Sequence, residues 1–188
     1  MQMTEINDST LIVDSREKWT QGGSQASQDS QLAKYFDKHG VHWVVKKLDV
    51  GDYILFGGNV SVDRKHDIEE IAKNLTNPKD KGRFWNEVRL AYRLKIHLVV
   101  LIESNKFHDI YDLRNWKSQF SPTDGNTLIR KMEQLSFAYG VQFVFTTYQS
   151  TGKKILEILN YDAIREGVEI REREERLRRG NQVESHDD

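Results

Sequence analysis

Residues 50–70 read VGDYILFGGNVSVDRKHDIEE, and this stretch dominates the prediction of the fold. Two β-rich runs, Val50–Phe56 and Val60–Lys65, flank Gly57-Gly58-Asn59, which tolerates the positive φ angles of a short hairpin turn. The pattern therefore predicts that the two runs pair as an antiparallel hairpin.

Charged side chains converge on one face of this hairpin. Strand alternation places Asp63 and Lys65 on one face of the second strand and Arg64 on the other. Folding at the glycines brings Asp52 opposite Arg64 or Lys65, within about one residue of Asp63. Two acids and a lysine are thus predicted to share one surface.

This grouping suits metal-assisted phosphodiester hydrolysis. Two neighbouring carboxylates repel each other unless a cation lies between them, and their hard oxygen atoms suit Mg²⁺ or Mn²⁺. A lysine beside such an ion can position or deprotonate a water and stabilise charge on a phosphate. The alternative is a surface hairpin whose Asp and Lys side chains are solvated or form ordinary cross-strand pairs.

The order of these residues resembles the signature of the XPF-type structure-specific endonucleases, which is Gly-Asp, a spacer and then Glu-Arg-Lys-x-x-x-Asp. Gly51-Asp52 and Asp63-Arg64-Lys65 follow it in order, with Asp63 in place of Glu and Glu69 in place of Asp. Further similarity extends over residues 10–160. It includes the segments Leu11–Glu17, Gly82–Phe84 and His97–Glu103.

The resemblance implies an α/β fold with a restriction-endonuclease-like three-layer core, in which helices flank a mixed central β-sheet. It also implies a divalent-metal-dependent DNA endonuclease that cuts near junctions of branched or 3′-flap DNA in repair or recombination. The metal, Mg²⁺ or Mn²⁺, is expected on Asp52 and Asp63, with Asp14 and Glu17 completing the acidic wall. The expected catalytic residues are Asp52, Asp63, Arg64, Lys65 and Glu69.

Glu69 lies in the first turn of a helix predicted from the spacing of Ile68, Ile71, Ala72 and Leu75. There its carboxylate would orient Lys65 or a water. The alternative is an i,i+4 pair with Lys73.

A basic region follows this helix and is predicted to contact DNA. A break at Asn77–Gly82 leads into a helix beginning at Arg83. Because phosphate contacts supply much of the affinity of DNA-binding proteins, these cations suit a DNA interface; a solvated helix face is the alternative. The predicted DNA-binding residues are Arg16, Lys79, Lys81 and Arg83. Glu87, one turn after Arg83, pairs with that arginine or joins the acidic site.

The apolar run at residues 97–103 predicts a central strand that ends in a solvent-exposed Glu103. The aromatic residues Phe107, Trp116 and Phe120 are predicted to serve packing rather than base stacking. Three segments are expected: a flexible N-terminus at 1–10, the XPF-type nuclease domain at 11–161, and a charged helix and tail at 162–188. That tail shows no paired helix-hairpin-helix signature, which larger members of the family carry there.

Composition narrows the class of protein further. The 188 residues are 37% hydrophobic and 30% charged, which suits one globular domain, and the formal charge of −1 requires any DNA contact to be local. The absence of cysteine, of an apolar span and of a signal peptide favours a cytoplasmic protein without membrane contact. A homodimer is left open. Two rival functions also remain, a non-catalytic DNA-binding subunit and a less selective nuclease on the same core.

Overall fold

The computed structural model describes residues 7–17 and 26–183, without the side chains of residues 26–30, 79 and 177–183. Its strands are β1 (Leu11–Asp14), β2 (Trp43–Lys46), β3 (Tyr53–Leu55), β4 (Val60–Lys65), β5 (His97–Glu103) and β6 (Gln142–Thr146). Its α-helices are α1 (Ala26–Lys38), α2 (Ile68–Thr76), α3 (Pro78–Leu94), α4 (Gly125–Tyr139), α5 (Thr151–Ile158) and α6 (Tyr161–Val183). Residues 7–10 form a turn before β1, and residues 1–6 of the predicted flexible N-terminus lie outside the described residues.

The described strands form one mixed sheet in the order β2-β1-β3-β4-β5-β6. The β3–β4 hairpin is antiparallel, as predicted, and β3 also pairs antiparallel with β1. The pairs β1–β2, β4–β5 and β5–β6 are parallel, so their connections cross the sheet through helices. The mixed central sheet confirms the predicted α/β architecture.

Helices cover both faces of the sheet. On one face, Val100 of β5 belongs to a hydrophobic cluster with Ile71 of α2, Val88 of α3 and Met132 of α4. On the other face, Leu101 shares a cluster with residues of α1 and α5, including Phe36 and Ile155. Because adjacent residues of β5 serve opposite clusters, the strand is buried on both sides, and the three-layer core is confirmed.

The hairpin register differs by one residue from the prediction. Tyr53 pairs with Val62 and Ile54 with Ser61, so one step further Asp52 lies opposite Asp63 rather than Arg64 or Lys65. The connection comprises residues 56–59, and the Phe56 amide donates to the Thr10 carbonyl at 2.9 Å. The shift brings the two carboxylates closer than predicted.

The break predicted at Asn77–Gly82 is wrong, because α3 begins at Pro78. Proline suits the first turn of a helix, where its missing N–H would have no intrahelical partner. Lys81 therefore lies on a helix rather than in a flexible loop. Within the described residues, no helix combines the length and apolar character needed to cross a membrane.

Candidate active site

Carboxylates from three elements meet beside the hairpin. Asp63 on β4 is 3% exposed, and the Asp52 carboxylate next to β3 accepts a hydrogen bond from the Arg64 amide at 2.8 Å. Glu87 of α3 reaches the same place, where its carboxylate accepts a hydrogen bond from the Gly51 amide at 2.7 Å. Sequence reasoning left Glu87 undecided between Arg83 and the site, and the structure places it at the site.

Gly51 makes this contact possible. Its φ of +67° belongs to the left-handed region, and a Cβ there would collide with Ser61 Oγ and lie 2.9 Å from the Val62 carbonyl oxygen. The glycine of the Gly51-Asp52 pair thus lets the backbone turn tightly against β4. In this turn the Gly51 amide donates to Glu87, and Asp52 lies beside Asp63.

Lys65 lies within the acidic cluster. Its Nζ is 2.7 Å from Asp63 Oδ1, 3.8 Å from Glu70 Oε1 and 5.6 Å from the centre of the Phe84 ring. Burial lowers the pKa of Lys65, but the negative charges of Asp63, Asp52 and Glu70 outweigh it and raise the pKa above its ordinary value. The side chain therefore carries its proton in this arrangement and acts as a donor.

The acids around Lys65 affect one another. Burial raises the pKa of Asp52 well above its usual range, and the charges of Asp63 and Glu17 add to this effect. Burial and the charge of Asp63 likewise raise the pKa of Glu87. Burial is the larger cause of both shifts and the charge of Asp63 adds to it, so a further cation beside these carboxylates would favour their ionised forms.

The donor set fits a hydrated Mg²⁺ or Mn²⁺ ion. Asp63 Oδ2 is buried and has no hydrogen-bond partner among the described residues, which leaves one hard oxygen available beside Asp52 and Glu87. Mg²⁺ usually keeps several waters and binds proteins through one or two carboxylates. In the described chain, no group of three or more His, Asp or Glu side chains lies close enough to hold a metal on its own. Two carboxylates with water are thus the arrangement that fits.

Arg64 lies on the opposite face of β4, as alternation predicts. Its Nε donates to Glu103 Oε1 at 2.8 Å, and Glu103 also accepts a hydrogen bond from the Thr151 hydroxyl at 2.6 Å. Glu103 is 1% exposed, so its prediction as a solvent-exposed acid is wrong. The reason is the parallel pairing of β4 with β5, which brings the Arg64 guanidinium within reach of the end of β5.

Asp14 and Glu17, predicted to complete the acidic wall, have different partners from each other. Asp14 is buried and accepts hydrogen bonds from the Arg16 side chain and from the Leu48 amide. The Glu17 carboxylate accepts from Tyr53 Oη at 3.0 Å and lies 3.7 Å from Arg64 Nη1. The Asp14 carboxylate is therefore occupied by protein donors, and Glu17 contacts the Arg64 side of the hairpin.

Glu69 does not join the Asp63 cluster in the described structure. Its carboxylate accepts hydrogen bonds from Ser118 Oγ at 2.7 Å and from the Gln119 amide at 2.8 Å. Glu70, which sequence reasoning missed, lies nearer to Lys65 and also accepts from the His66 amide at 2.9 Å.

A sequence signal for Glu70 existed. Asp67 caps α2 by accepting from the Glu70 amide at 2.7 Å, and an acid three residues after such a cap commonly reaches back toward it. The segment DIEE therefore indicated Glu70 rather than Glu69 as the acid whose side chain lies near His66 and Lys65 at the end of β4.

The predicted DNA-binding residues lie at two places. Lys81 and Arg83 are exposed on the first turns of α3, where Arg83 is 3.8 Å from Asp80. Arg16 is bound to Asp14 and donates to the Leu48 carbonyl at 2.9 Å. Lys79 is on α3, but its side chain lies outside the described residues. Their contacts with DNA stay predictions.

Comparison with known proteins defines the class. The family model of the ERCC4 domain matches residues 13–158, which is most of the chain. The chain therefore belongs to the ERCC4 domain family, and this domain is an XPF-type nuclease domain, as the sequence resemblance predicted.

Solved structures show the same fold. XPF from Aeropyrum pernix is 20% identical, with a TM-score of 0.59 over 87% of this chain and 69% of that chain. A structure of XPF from Aeropyrum pernix in complex with DNA is 19% identical, with a TM-score of 0.56 over 82% of this chain and 64% of that chain. The present chain thus spans about two thirds of the length of these structures. No protein with a curated description matches the sequence significantly.

Proposed function

We propose that this domain is a divalent-metal-dependent endonuclease that hydrolyses phosphodiester bonds in DNA, near junctions of branched or 3′-flap substrates in repair or recombination. The observation that carries the proposal is the geometry of Asp63. Its Oδ1 binds the Lys65 ammonium at 2.7 Å, while its buried Oδ2 has no partner among the described residues. Burying half of a carboxylate without a partner costs free energy that a bound ion would recover.

Asp63 and Asp52 would hold the ion together with waters, beside Glu87, which is bonded to the Gly51 amide. When bound, Mg²⁺ or Mn²⁺ supplies a Lewis acid that polarises a phosphoryl oxygen and makes a water more acidic. The raised pKa values of Asp52 and Glu87 support this assignment, because a divalent charge stabilises both carboxylates in their ionised form.

Lys65 would act on the phosphate and the attacking water through the protons on Nζ. Its raised pKa keeps these protons in place, so the side chain donates hydrogen bonds to developing negative charge. Arg64 has a different role, since its guanidinium is buried against Glu103 on the far side of β4. We assign to it the positioning of the strand that carries Asp63 and Lys65.

DNA as the substrate is supported by family membership and by the relative from Aeropyrum pernix that was solved with DNA. The formal charge of −1 means that DNA affinity must come from local cations. Lys81 and Arg83 on α3 are exposed on the helix that also carries Glu87, and Lys79 and Arg16 remain candidate DNA contacts. Homodimer formation and an intracellular location also stay predictions.

The test is cleavage of a 3′-flap substrate beside matched linear duplex and single strand, with Mg²⁺, with Mn²⁺ and with EDTA. Asp63→Asn keeps the size of the side chain and removes its charge, and the expected result is loss of incision with either metal. Asp162→Asn, at an exposed position on α6, is the matched control and should cut like the unaltered protein.

One observation favours a non-catalytic DNA-binding subunit as the second candidate. The Lys65 ammonium already pairs with Asp63 Oδ1 at 2.7 Å. Tight binding of the flap without incision under either metal would establish that candidate. Equal cutting of flap, duplex and single strand would instead establish the less selective nuclease.

A further inference from the structure

A groove of about 920 Å³ lies between α2 and residues 117–124, which precede α4 and are called the Phe120 loop below. It begins beside the Asp63 cluster, because Glu70, which lies 3.8 Å from Lys65 Nζ, is one of its lining residues. Lys73 of α2, Lys131 of α4 and Phe120 also line it. The groove therefore shares Glu70 with the surroundings of Lys65.

Phe120 is exposed over 84% of its surface, which corrects the prediction that it serves packing. Phe107 and Trp116, by contrast, pack against the core as predicted. A single exposed phenylalanine is common on protein surfaces and has no meaning alone. Its significance here depends on how the loop is held and on which charges surround it.

Hydrogen bonds fix the Phe120 loop to α2. Ser118 Oγ donates to Glu69 and accepts from the amides of Phe120 and Ser121, each at 3.1 Å. The Gln119 amide also donates to Glu69 at 2.8 Å. The backbone on both sides of Phe120 is thus held by one carboxylate and one hydroxyl.

A second attachment holds the end of the loop. Ser121 Oγ donates to Thr123 Oγ1 at 3.0 Å, and Thr123 Oγ1 donates to Thr76 Oγ1 on α2 at 3.3 Å. The Ser118 amide bonds to the Thr123 carbonyl at 3.0 Å and closes the loop. An exposed ring on such a fixed loop binds a flat partner at a low cost in conformational entropy.

The groove carries charges of both signs, because three carboxylates and two ammonium groups line it. Among its acids, Asp67 caps α2, Glu69 is bonded to the loop, and Glu70 accepts from the His66 amide. Lys73, 64% exposed, is only 3.8 Å from its nearest acid, Asp80, a distance typical of a weak surface pair. Lys131 is half-buried on the opposite wall.

We propose that this groove holds unpaired nucleotides of the DNA next to the phosphate to be cut, with Phe120 stacked on a base and Lys73 and Lys131 contacting phosphates. An exposed aromatic ring beside cations is the combination that binds single strands without reading their sequence. The proposal rests on the proposed nuclease function and specifies which part of a branched substrate the domain recognises.

The test compares binding of a blunt hairpin duplex with binding of the same duplex carrying a short single-stranded tail, by fluorescence anisotropy in EDTA. Phe120→Ala should weaken binding of the tailed duplex about 5- to 100-fold, as expected for one stacked base, and leave the blunt duplex unchanged. Phe137→Ala is the matched control, since Phe137 is 95% exposed on α4 and does not line the groove. It should change neither affinity.

Two further variants separate the parts of the groove. Glu69→Ala releases the Phe120 loop, so it should weaken tailed binding and add little in combination with Phe120→Ala. Lys131→Gln should lower the slope of log affinity against log salt by about 0.7 for the tailed duplex, the value for one phosphate contact on a single strand. The double variant thus tests Glu69 as a residue that positions Phe120, and the salt dependence tests Lys131 as a direct phosphate contact.

The outcomes of the two proposals are distinguishable. If the unaltered protein binds tailed and blunt duplexes equally and Phe120→Ala has no effect, the groove proposal fails and the nuclease proposal stands. Equal effects of the Phe120 and Phe137 variants would also overturn the groove proposal. If neither duplex binds in EDTA, and flap DNA is not cut with Mg²⁺ or Mn²⁺, both proposals fail.

Discussion

Arg64 and Glu103 form a buried ion pair, with Arg64 Nε 2.8 Å from Glu103 Oε1 and side chains only 3% and 1% exposed. The pair joins the ends of the parallel strands β4 and β5 on the face opposite Lys65. Removing one charge would leave the other buried with fewer opposite charges around it, which usually costs more than the intact pair contributes. The pair therefore fixes the end of the strand that carries Asp63.

Glu103→Gln should consequently lower the free energy of unfolding by about 3 kcal/mol, measured by urea denaturation at neutral pH. Glu157→Gln is the control, because Glu157 pairs with exposed lysines on α5 and should cost less than about 1 kcal/mol. Equal losses of unfolding free energy in the two variants would show that the buried pair contributes no more to stability than the exposed one.

The pH dependence of stability should report on His66. Its Nδ1 is 3.7 Å from Glu103 Oε2, and the carboxylate raises the pKa of His66 above the ordinary 6.5 despite partial burial. A raised pKa in the folded state stabilises the fold below pH 6.5, and this contribution is lost as the pH rises through the folded-state pKa. In His66→Asn this decrease in stability with rising pH should be absent, as measured by urea midpoints from pH 5.5 to 9.

Glu103 should act in the opposite direction. Burial alone would raise the pKa of Glu103, but His66, Arg64 and Thr151 together hold it below the ordinary 4.5. Its contribution is therefore present above pH 4.5 and is lost as the pH falls below that value. Glu103→Gln should flatten the acid limb of the stability profile, and an unchanged acid limb would contradict this assignment.

The backbone at Gly51 offers a test of how the site is built. Gly51 and Gly57 both have positive φ, at +67° and +71°, but a Cβ at Gly57 meets nothing closer than 4.0 Å, whereas one at Gly51 collides with Ser61. Gly57→Ala should cost about 1 kcal/mol of stability from conformation alone. Gly51→Ala should cost about 3 kcal/mol or more and should also reduce incision, because the Glu87 contact moves. Equal costs would mean that the close approach to β4 is unimportant.

Much of the fold follows from local sequence patterns. Alternation in VSVDRK placed Asp63 and Lys65 on one face, and the apolar run at 97–103 identified a strand buried on both faces, although β5 is fifth of the six described strands rather than central. The hairpin pattern alone did not predict the register, since β3 pairs with β1 as well as with β4 and β1 is distant in sequence. The start of α3 was missed because a proline was interpreted as a break rather than as a first-turn residue.

The site was less predictable than the fold, because burial of an acid depends on partners that are distant in sequence. Glu103 was assigned to solvent, yet its partners Arg64 and Thr151 are 39 and 48 positions away. Glu69 and Glu70 are adjacent and chemically alike, and only the helix cap at Asp67 indicates which of them returns toward Lys65. Resemblance to a family motif cannot make that distinction, since the motif records spacing and not the packing of the Phe120 loop.

The ammonium group of Lys65 is bonded to Asp63 Oδ1, so its charge can be tested by substitution. Lys65→Met keeps an unbranched side chain but removes the ammonium group and its cation–π contact with Phe84, so developing negative charge on the phosphate loses its donor. With Mg²⁺, kcat for flap incision should fall at least about 100-fold, while KM changes much less. Lys153→Met, at a position 70% exposed on α5, should leave both constants unchanged. Retention of near-normal kcat in Lys65→Met, with binding intact, would remove Lys65 from the catalytic machinery and leave it as a partner that only neutralises Asp63.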